Sequence, residues 1–187
     1  ILKMLEGQIV TEDVQEEVGY TEEKGRKVFK PDGTYQKIAA VERHKNTGKI
    51  GVGIVKGFGL RGGAIASSVS HDSHNLIVIG DNDHDMYLAV QELLRTQGGY
   101  TLVENGQVFD TLPLPIMGLM SDAGYEKVNE KLARMIPKAH EMGIPEGFDP
   151  FITLSFMALP VIPEIRITPR GVYLTQEDRM IQSPFDR

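Results

Sequence analysis

The feature that most constrains the fold of this chain is a series of short apolar segments between residues 38 and 112. Segments of five to seven residues are typical of strands, and the more continuously apolar ones are typical of strands buried inside a sheet. Asn46-Thr47-Gly48, between the first two segments, is suited to a turn. The sequence therefore predicts a sheet whose first four strands lie at residues 38–43, 50–56, 64–69 and 76–80.

One amphipathic helix and one hairpin follow these strands. Apolar residues recur at i, i+3, i+4, i+7 and i+8 from Met86, which predicts a helix over about 83–97. Asp81 and Asn82 are suited to cap its start, and Gly98-Gly99 is suited to end it. Asn105-Gly106 is the strongest hairpin signal in the chain. It predicts a pair of strands at 100–104 and 107–112.

The last third of the chain predicts a second helix and a terminal turn. Ser121-Asp122 is suited to cap a helix with an apolar stripe from Val128 to Ile136, and Pro137 limits or kinks that helix. Residues 151–168 are strongly apolar, and 168–171 are typical of a turn. Strands interleaved with helices predict an α/β (α+β) layered domain with a mixed β-sheet of about 6–8 strands and 2–4 helices.

The first 37 residues differ from the rest in being polar and interrupted by glycine and Pro31-Asp32-Gly33. We interpret residues 1–37 as an arm or linker from a preceding domain, with one short strand and a turn. Residues 38–187 are then the domain itself. The start at Ile1 rather than Met leads us to expect that the chain is a piece of a longer protein.

Composition excludes several classes of protein. The net charge is −6, with 20 Lys and Arg against 26 Asp and Glu, which argues against binding to a nucleic-acid backbone. No apolar run approaches the roughly 18–20 residues that span a bilayer, and no signal-peptide pattern is present. The absence of cysteine excludes disulfides, thiolate metal sites and cysteine nucleophiles. We therefore expect a cytoplasmic protein that binds neither nucleic acid nor membrane.

The densest set of reactive side chains lies just after the third predicted strand. It comprises Ser67, Ser68, His71, Asp72, Ser73, His74 and Asn75. Two imidazoles with a carboxylate and an amide nearby are suited to bind a divalent metal or to contact a substrate. The structural alternative is that these groups satisfy the backbone at a strand junction. Two histidines are too few for an independent metal site, and the serines lack the strand-turn-helix elbow of a hydrolase nucleophile.

Two further segments have simpler explanations. Residues 81–85 look like a calcium loop but lack its glycine and its later glutamate, so helix capping is the better interpretation. The glycines between 51 and 63 lie within and between strands, which favours close backbone packing over a phosphate-binding loop. The alternative there is approach of the backbone to a ligand, with Lys56 or Arg61 as the charged partner.

Several segments in collinear order form a recognisable pattern: Val41-Glu42-Arg43-His44, Gly57-Phe58-Gly59-Leu60, residues 63–69, 71–75, 82–83, 85–86, 112–116, 118–122, 153–156 and 158–164. Taken together, these segments resemble the C-terminal domain of bacterial and archaeal adenine deaminases. The resemblance is collinear over about 38–170 and only loose over 1–37. Two positions depart from the family pattern, since His84 stands where an acid is expected and Asp81 where a small polar residue is more usual.

The resemblance implies an enzyme of the amidohydrolase superfamily that converts adenine and water to hypoxanthine and ammonia. In that family an α/β barrel of roughly 250 residues carries the general base and a binuclear iron or manganese centre. This chain is too short for such a barrel and lacks its His-x-His pair, so no catalytic residue and no metal are expected in it. The implied partners are adenine, the barrel domain and further copies of the same chain.

Three roles for such a domain follow from the residues. In the first, the turn at 67–75 faces the open end of the barrel, shields it from solvent and helps to hold the purine. In the second, the domain supplies oligomer contacts through the Met- and Phe-rich segment 150–163. In the third, the chain is a small-molecule-binding regulatory module or an independent metallohydrolase built on His71 and His74.

Overall fold

A computed structural model describes residues 1–181 of the chain, so the last part of the predicted domain 38–187 lies outside the described residues. The strands are β1 (Leu2–Met4), β2 (Thr11–Asp13), β3 (Tyr20–Glu23), β4 (Arg26–Phe29), β5 (Tyr35–Val41), β6 (Ile50–Lys56), β7 (Gly63–Ser67), β8 (Leu76–Gly80), β9 (Gly99–Glu104), β10 (Gln107–Pro113), β11 (Ile165–Thr168), β12 (Gly171–Leu174) and β13 (Arg179–Ile181). The helices are α1 (Asp83–Arg95), α2 (Tyr125–Glu141) and α3 (Pro150–Phe156). Within residues 1–181, no helix has both the length and the apolar character needed to cross a membrane.

Eight of the strands form one mixed sheet, in the order β10-β9-β7-β8-β5-β6-β1-β2. All neighbouring pairs are antiparallel except β1 and β6, where Leu2 lies opposite Val55 in a parallel register. A three-stranded sheet of β11, β12 and β13 and a separate β3–β4 hairpin complete the strands. With three helices packed around a mixed sheet, the predicted α+β layered class is confirmed.

The two faces of the sheet are covered by different elements. Along β7, Ala64 and Ala66 belong to the cluster that buries helix α1, whereas Ile65 between them belongs to the larger core on the other face. This alternation follows from the period-two geometry of a strand, and the alanines leave room for a helix to pack closely. On that other face, side chains of α2, α3 and the three-stranded sheet pack against those of the large sheet to form the larger core.

The local signals in the sequence agree with the start of α1 but not with that of α2, which begins at Tyr125 after Gly124 and lacks the predicted Ser121-Asp122 side-chain cap. Asn82 caps α1 because its side-chain oxygen accepts a hydrogen bond from the Asp85 amide at 2.8 Å. Helix α2 contains Pro137 and continues to Glu141, so the proline does not end it. Asn105 and Gly106 have φ angles of +48° and +78°, which are the positive values required by the tight turn joining β9 and β10.

The N-terminal region has more structure than expected. The prediction of one short strand in residues 1–37 is wrong, because four strands lie there, and two of them, β1 and β2, belong to the large sheet. The fully buried Arg166 holds this region in place by donating hydrogen bonds to the Thr11 hydroxyl at 2.7 Å and to the Ile9 carbonyl at 2.8 Å. Burial lowers the pKa of Arg166 to about 10. The boundary between an arm and a domain at residue 38 stays a prediction.

Candidate functional site

The predicted site residues lie at one end of the large sheet. Because neighbouring strands are antiparallel, the ends of β5, β7 and β10 and the starts of β8 and β9 meet there. The connections at 42–49, 68–75 and 114–124 therefore lie side by side, and we call these three segments the loop end of the sheet. Hydrogen bonds join them, among them Arg43 N to Asn75 Oδ1 at 3.2 Å and Ser68 Oγ to the Gly118 carbonyl at 2.6 Å.

Ser67 and Ser68 are fully buried and bind backbone groups. Ser67 Oγ accepts from the Val69 amide at 2.9 Å and donates to the Val69 carbonyl at 3.1 Å. Ser68 Oγ accepts from the Gly99 amide at 2.8 Å and donates to the carbonyl of Gly118. Among the described residues, neither hydroxyl has an imidazole as its hydrogen-bond partner. The geometry therefore favours the structural interpretation of both serines over a nucleophilic one.

His71 and His74 form the half-buried centre of the loop end. The ring of His71 stacks on Phe156 with centroids 5.0 Å apart and meets the ring of His74 edge-on at 5.8 Å. Burial lowers the pKa of His74, and the nearby His71 and Arg43 lower it further. A pKa below the usual 6.5 leaves His74 mostly neutral at pH 7. The buried Nδ1 of His74 has no hydrogen-bond partner within residues 1–181.

The remaining predicted residues, Asp72, Ser73 and Asn75, differ in how closely they are held within the loop end. The Asp72 side chain is 84% exposed and lies 3.6 Å from His71 Nδ1, so it is at the edge of the cluster. Ser73 and Asn75 lie in the turn itself, where Asn75 Nδ2 donates to Ser73 Oγ at 3.1 Å. Asn75 thus braces the turn from within while its Oδ1 connects it to Arg43. The structure brings six of the seven candidates together and leaves the carboxylate of Asp72 mostly in solvent.

Arg43 and His44 also belong to the loop end, although they lie outside the site predicted from the sequence. His44 Nε2 lies 2.6 Å from the Ser73 carbonyl, and because a carbonyl can only accept, Nε2 carries the hydrogen. Glu42 shapes this loop by accepting hydrogen bonds from the amides of His44 at 2.5 Å and Lys45 at 2.7 Å. Hydrogen bonds from Thr47 and these amides lower the pKa of Glu42 to about 2.

Other segments that could have formed a binding site have structural roles instead. The carboxylate of Asp81 accepts from the amides of Gly62 at 2.5 Å and Gly63 at 3.1 Å, so capping and turn formation explain the acidic segment 81–85. A Cβ at Gly51 or Gly63 would overlap the backbone of a neighbouring strand, which confirms close packing as the reason for these glycines. Within residues 1–181, no group of three or more His, Cys, Asp or Glu side chains is placed to hold a metal ion.

Exposed apolar side chains accompany the polar centre of the loop end. They are Ile116, Met117 and Met120, all in the 114–124 loop. The expected oligomer patch at 150–163 needs correction, because Phe151, Leu154 and Met157 are no more than 2% exposed and belong to the core of the domain itself. Of the apolar side chains in that segment, Ile152 and Val161 remain more than half exposed.

The loop end is thus a polar centre of hydrogen-bonding groups in which, among the described residues, neither serine is paired with a base and no group of three metal-ligating side chains is present. The model of the family described as adenine deaminase C-terminal domain matches residues 8–179. The chain therefore belongs to the adenine deaminase C-terminal domain family.

Sequence comparison with individual proteins agrees with the family assignment. An adenine deaminase of Desulfitobacterium hafniense is 53% identical over 182 residues, which cover 97% of this chain and 31% of that protein. An adenine deaminase of Nitratidesulfovibrio vulgaris strain DP4 is 54% identical over 146 residues, or 78% of this chain and 25% of that protein. An adenine deaminase of Bacillus subtilis is 49% identical over 147 residues, or 78% of this chain and 26% of that protein. The chain thus spans less than a third of the length of these relatives.

Proposed function

We propose that this chain is the C-terminal domain of an enzyme that hydrolyses adenine to hypoxanthine and ammonia in purine salvage. The support is the family assignment and the name shared by the relatives, of which this chain matches only a part. We place the chemistry in an amidohydrolase barrel outside this sequence. That barrel would hold the binuclear iron or manganese centre, since the described residues of this chain do not supply a ligand set. The chain alone is then inactive.

The role that the geometry supports best is to cover the open end of that barrel. The observation that carries this proposal is the arrangement of the loop end, where the half-buried pair His71 and His74 is accompanied by exposed apolar side chains. Apolar contacts around a polar centre exclude water from it when another surface packs against them. Water exclusion strengthens the electrostatic interactions of a metal site and limits side reactions.

Each predicted site residue has a distinct part in this proposal. His71 and His74 present imidazole nitrogens to the barrel, and the neutral His74 is suited to hydrogen-bond a purine or a side chain of the barrel. Ser73 and Asn75 keep the turn in shape. Ser67 and Ser68 are positioning groups beneath it, and Asp72 lies at its solvent-exposed edge.

The test is kinetic and uses the full-length enzyme that carries this sequence. We expect His71→Asn and His74→Asn each to lower kcat/KM for adenine by about tenfold or more, the size of effect that follows when water enters a closed site or one positioned hydrogen bond is lost. His84→Asn is the matched control, because His84 is 74% exposed at the start of α1, away from the loop end. Unchanged kcat and KM in both loop-end variants would refute the covering role.

We also expect the intact protein to be a cytoplasmic homo-oligomer that binds neither nucleic acid nor membrane. Ile152 and Val161 are more than half exposed and apolar, so they are available to a second copy. Light scattering of the full-length enzyme measures the oligomeric state directly. A monomeric mass would remove this part of the proposal.

A further inference from the structure

The loop end carries one rigid apolar projection, which we call the methionine turn and define as Ile116–Met120. The Leu119 amide donates to the Ile116 carbonyl at 3.0 Å, and Ile116 and Met120 also form an antiparallel bridge. Between them, Met117 and Gly118 have φ angles of +59° and +74°. Positive φ at both central positions describes a tight turn of the mirror-image kind, in which Met at the first position is unusual because its Cβ is strained there.

The side chains of this turn face solvent although they are apolar. Ile116, Met117 and Met120 are 44%, 74% and 53% exposed. Three exposed apolar side chains within five residues form a patch of the kind that marks an interaction site. Methionine is especially suited to such a patch because its unbranched, polarizable side chain adapts to irregular apolar clefts.

Two polar side chains, the buried Ser68 and the partly exposed Arg43, hold the backbone of the turn. Ser68 Oγ, which is fully buried, donates to the Gly118 carbonyl at 2.6 Å, and the Arg43 guanidinium donates to the Met117 carbonyl at 2.5 Å. A Cβ at Gly118 would overlap the Arg43 guanidinium, so the two groups pack in direct contact. The exposure of Met117 is therefore a property of an ordered turn whose backbone is fixed before any partner binds.

The same arginine connects the turn to the histidines. Arg43 N donates to Asn75 Oδ1, and Arg43 also contributes to lowering the pKa of His74. The methionine turn and the turn at 71–75 are thus parts of one braced surface. A partner that packs on Met117 lies next to His71 and His74.

We infer that the methionine turn inserts into an apolar cleft on the remainder of the same polypeptide, at the rim of the barrel. This inference rests on the covering role proposed above and names the contact that holds the cover in place. The choice of partner follows from length, since the matched region is only 31% of the Desulfitobacterium hafniense protein and 25% of the Nitratidesulfovibrio vulgaris protein. A surface on the same polypeptide is present at high effective concentration, which favours it over a separate molecule.

The experiment places a charge on the turn in the full-length enzyme. We expect Met117→Lys to increase hydrogen exchange in residues 68–75 and 114–124 and to lower kcat/KM by about tenfold or more, the factor that corresponds to losing the burial of one large apolar side chain. Met117→Leu should restore both properties. Tyr87→Lys is the matched control, since Tyr87 is an exposed residue of α1, and should change neither. Where Met117→Lys gives no folded enzyme, Met117→Ser replaces it.

The outcomes separate this inference from the covering role. If Met117→Lys increases hydrogen exchange but leaves kcat/KM unchanged, the docking contact is supported and the covering role is refuted. Unchanged exchange refutes the docking contact, and the cover then stands or falls with His71→Asn and His74→Asn. A halved molecular mass in Met117→Lys also refutes the inference, because the occupant of the surface would then be a second copy of the chain.

Discussion

Replacing Ser68 by alanine should destabilise the domain much more than its small change in volume suggests. Ser68 Oγ accepts from the Gly99 amide at 2.8 Å and donates to the Gly118 carbonyl at 2.6 Å, and the side chain is fully buried. Ser68→Ala removes both bonds at once and leaves a donor and an acceptor of the main chain without this partner. These groups lie in separate segments, so the hydroxyl joins the start of β9 to the methionine turn.

The magnitude follows from what each orphaned group costs. A buried polar group that loses its partner costs about 1–3 kcal/mol, so two such groups give about 3 kcal/mol for Ser68→Ala. In a protein of this size that loss lowers the Tm by roughly 6–12 °C. Ser67→Ala is the matched control, because the neighbouring serine is equally buried but bonds only to Val69, which is partly exposed. Water can replace the lost hydroxyl there, so we expect Ser67→Ala to lower the free energy of unfolding by about 1 kcal/mol or less.

The assay is urea unfolding of the two variants and the wild type, followed by circular dichroism and supported by a thermal scan. The midpoint should fall more for Ser68→Ala than for Ser67→Ala, with an unchanged dependence on denaturant. A free energy of unfolding for Ser68→Ala within about 1 kcal/mol of the wild type would refute the reasoning. It would show that the Gly99 and Gly118 groups find other partners easily.

Two further predictions concern buried polar groups. Gln36 is fully buried in β5, and neither atom of its side-chain amide has a hydrogen-bond partner within residues 1–181. Gln36→Met should therefore raise the free energy of unfolding, measured in urea, by about 1–3 kcal/mol. A less stable variant would contradict this. The pKa of His74 in the folded chain lies below 6.5, so on acidification the unfolded chain binds this proton first. Lowering the pH from 7 to 5 should therefore destabilise the wild type more than His74→Asn. Equal losses of unfolding free energy in the two proteins would contradict the shift.

Local signals in the sequence were enough to predict many of the elements. The strands at 50–56 and 76–80 have the predicted bounds, because each is an apolar run that ends at a glycine, a charge or a turn. The start of α1 follows from Asn82, whose side chain satisfies an amide of the first turn. In these places the nearest residues decide the structure, and a single sequence contains that information.

Long-range pairing explains what the sequence did not predict. Strand β1 has only three residues, and it is a strand because it pairs with β6, where Leu2 lies opposite Val55, more than fifty positions away in the sequence. Arg43 reaches the site for a similar reason. Val41 lies opposite Leu76, so residues just after one strand meet residues just before the other. The cluster at 67–75 was visible because it is local, whereas its connection to Arg43 depended on knowing which strands pair.

The claim that the loop end packs against the rest of the enzyme is tested most directly by hydroxyl-radical footprinting of the full-length protein. Met117 is 74% exposed in this domain, Met135 is fully buried and Tyr87 is 65% exposed, so the chain contains its own internal standards. We expect Met117 to be oxidised as slowly as Met135, while Tyr87 reacts freely. Rapid oxidation of Met117, at a rate far above that of Met135, would contradict the account.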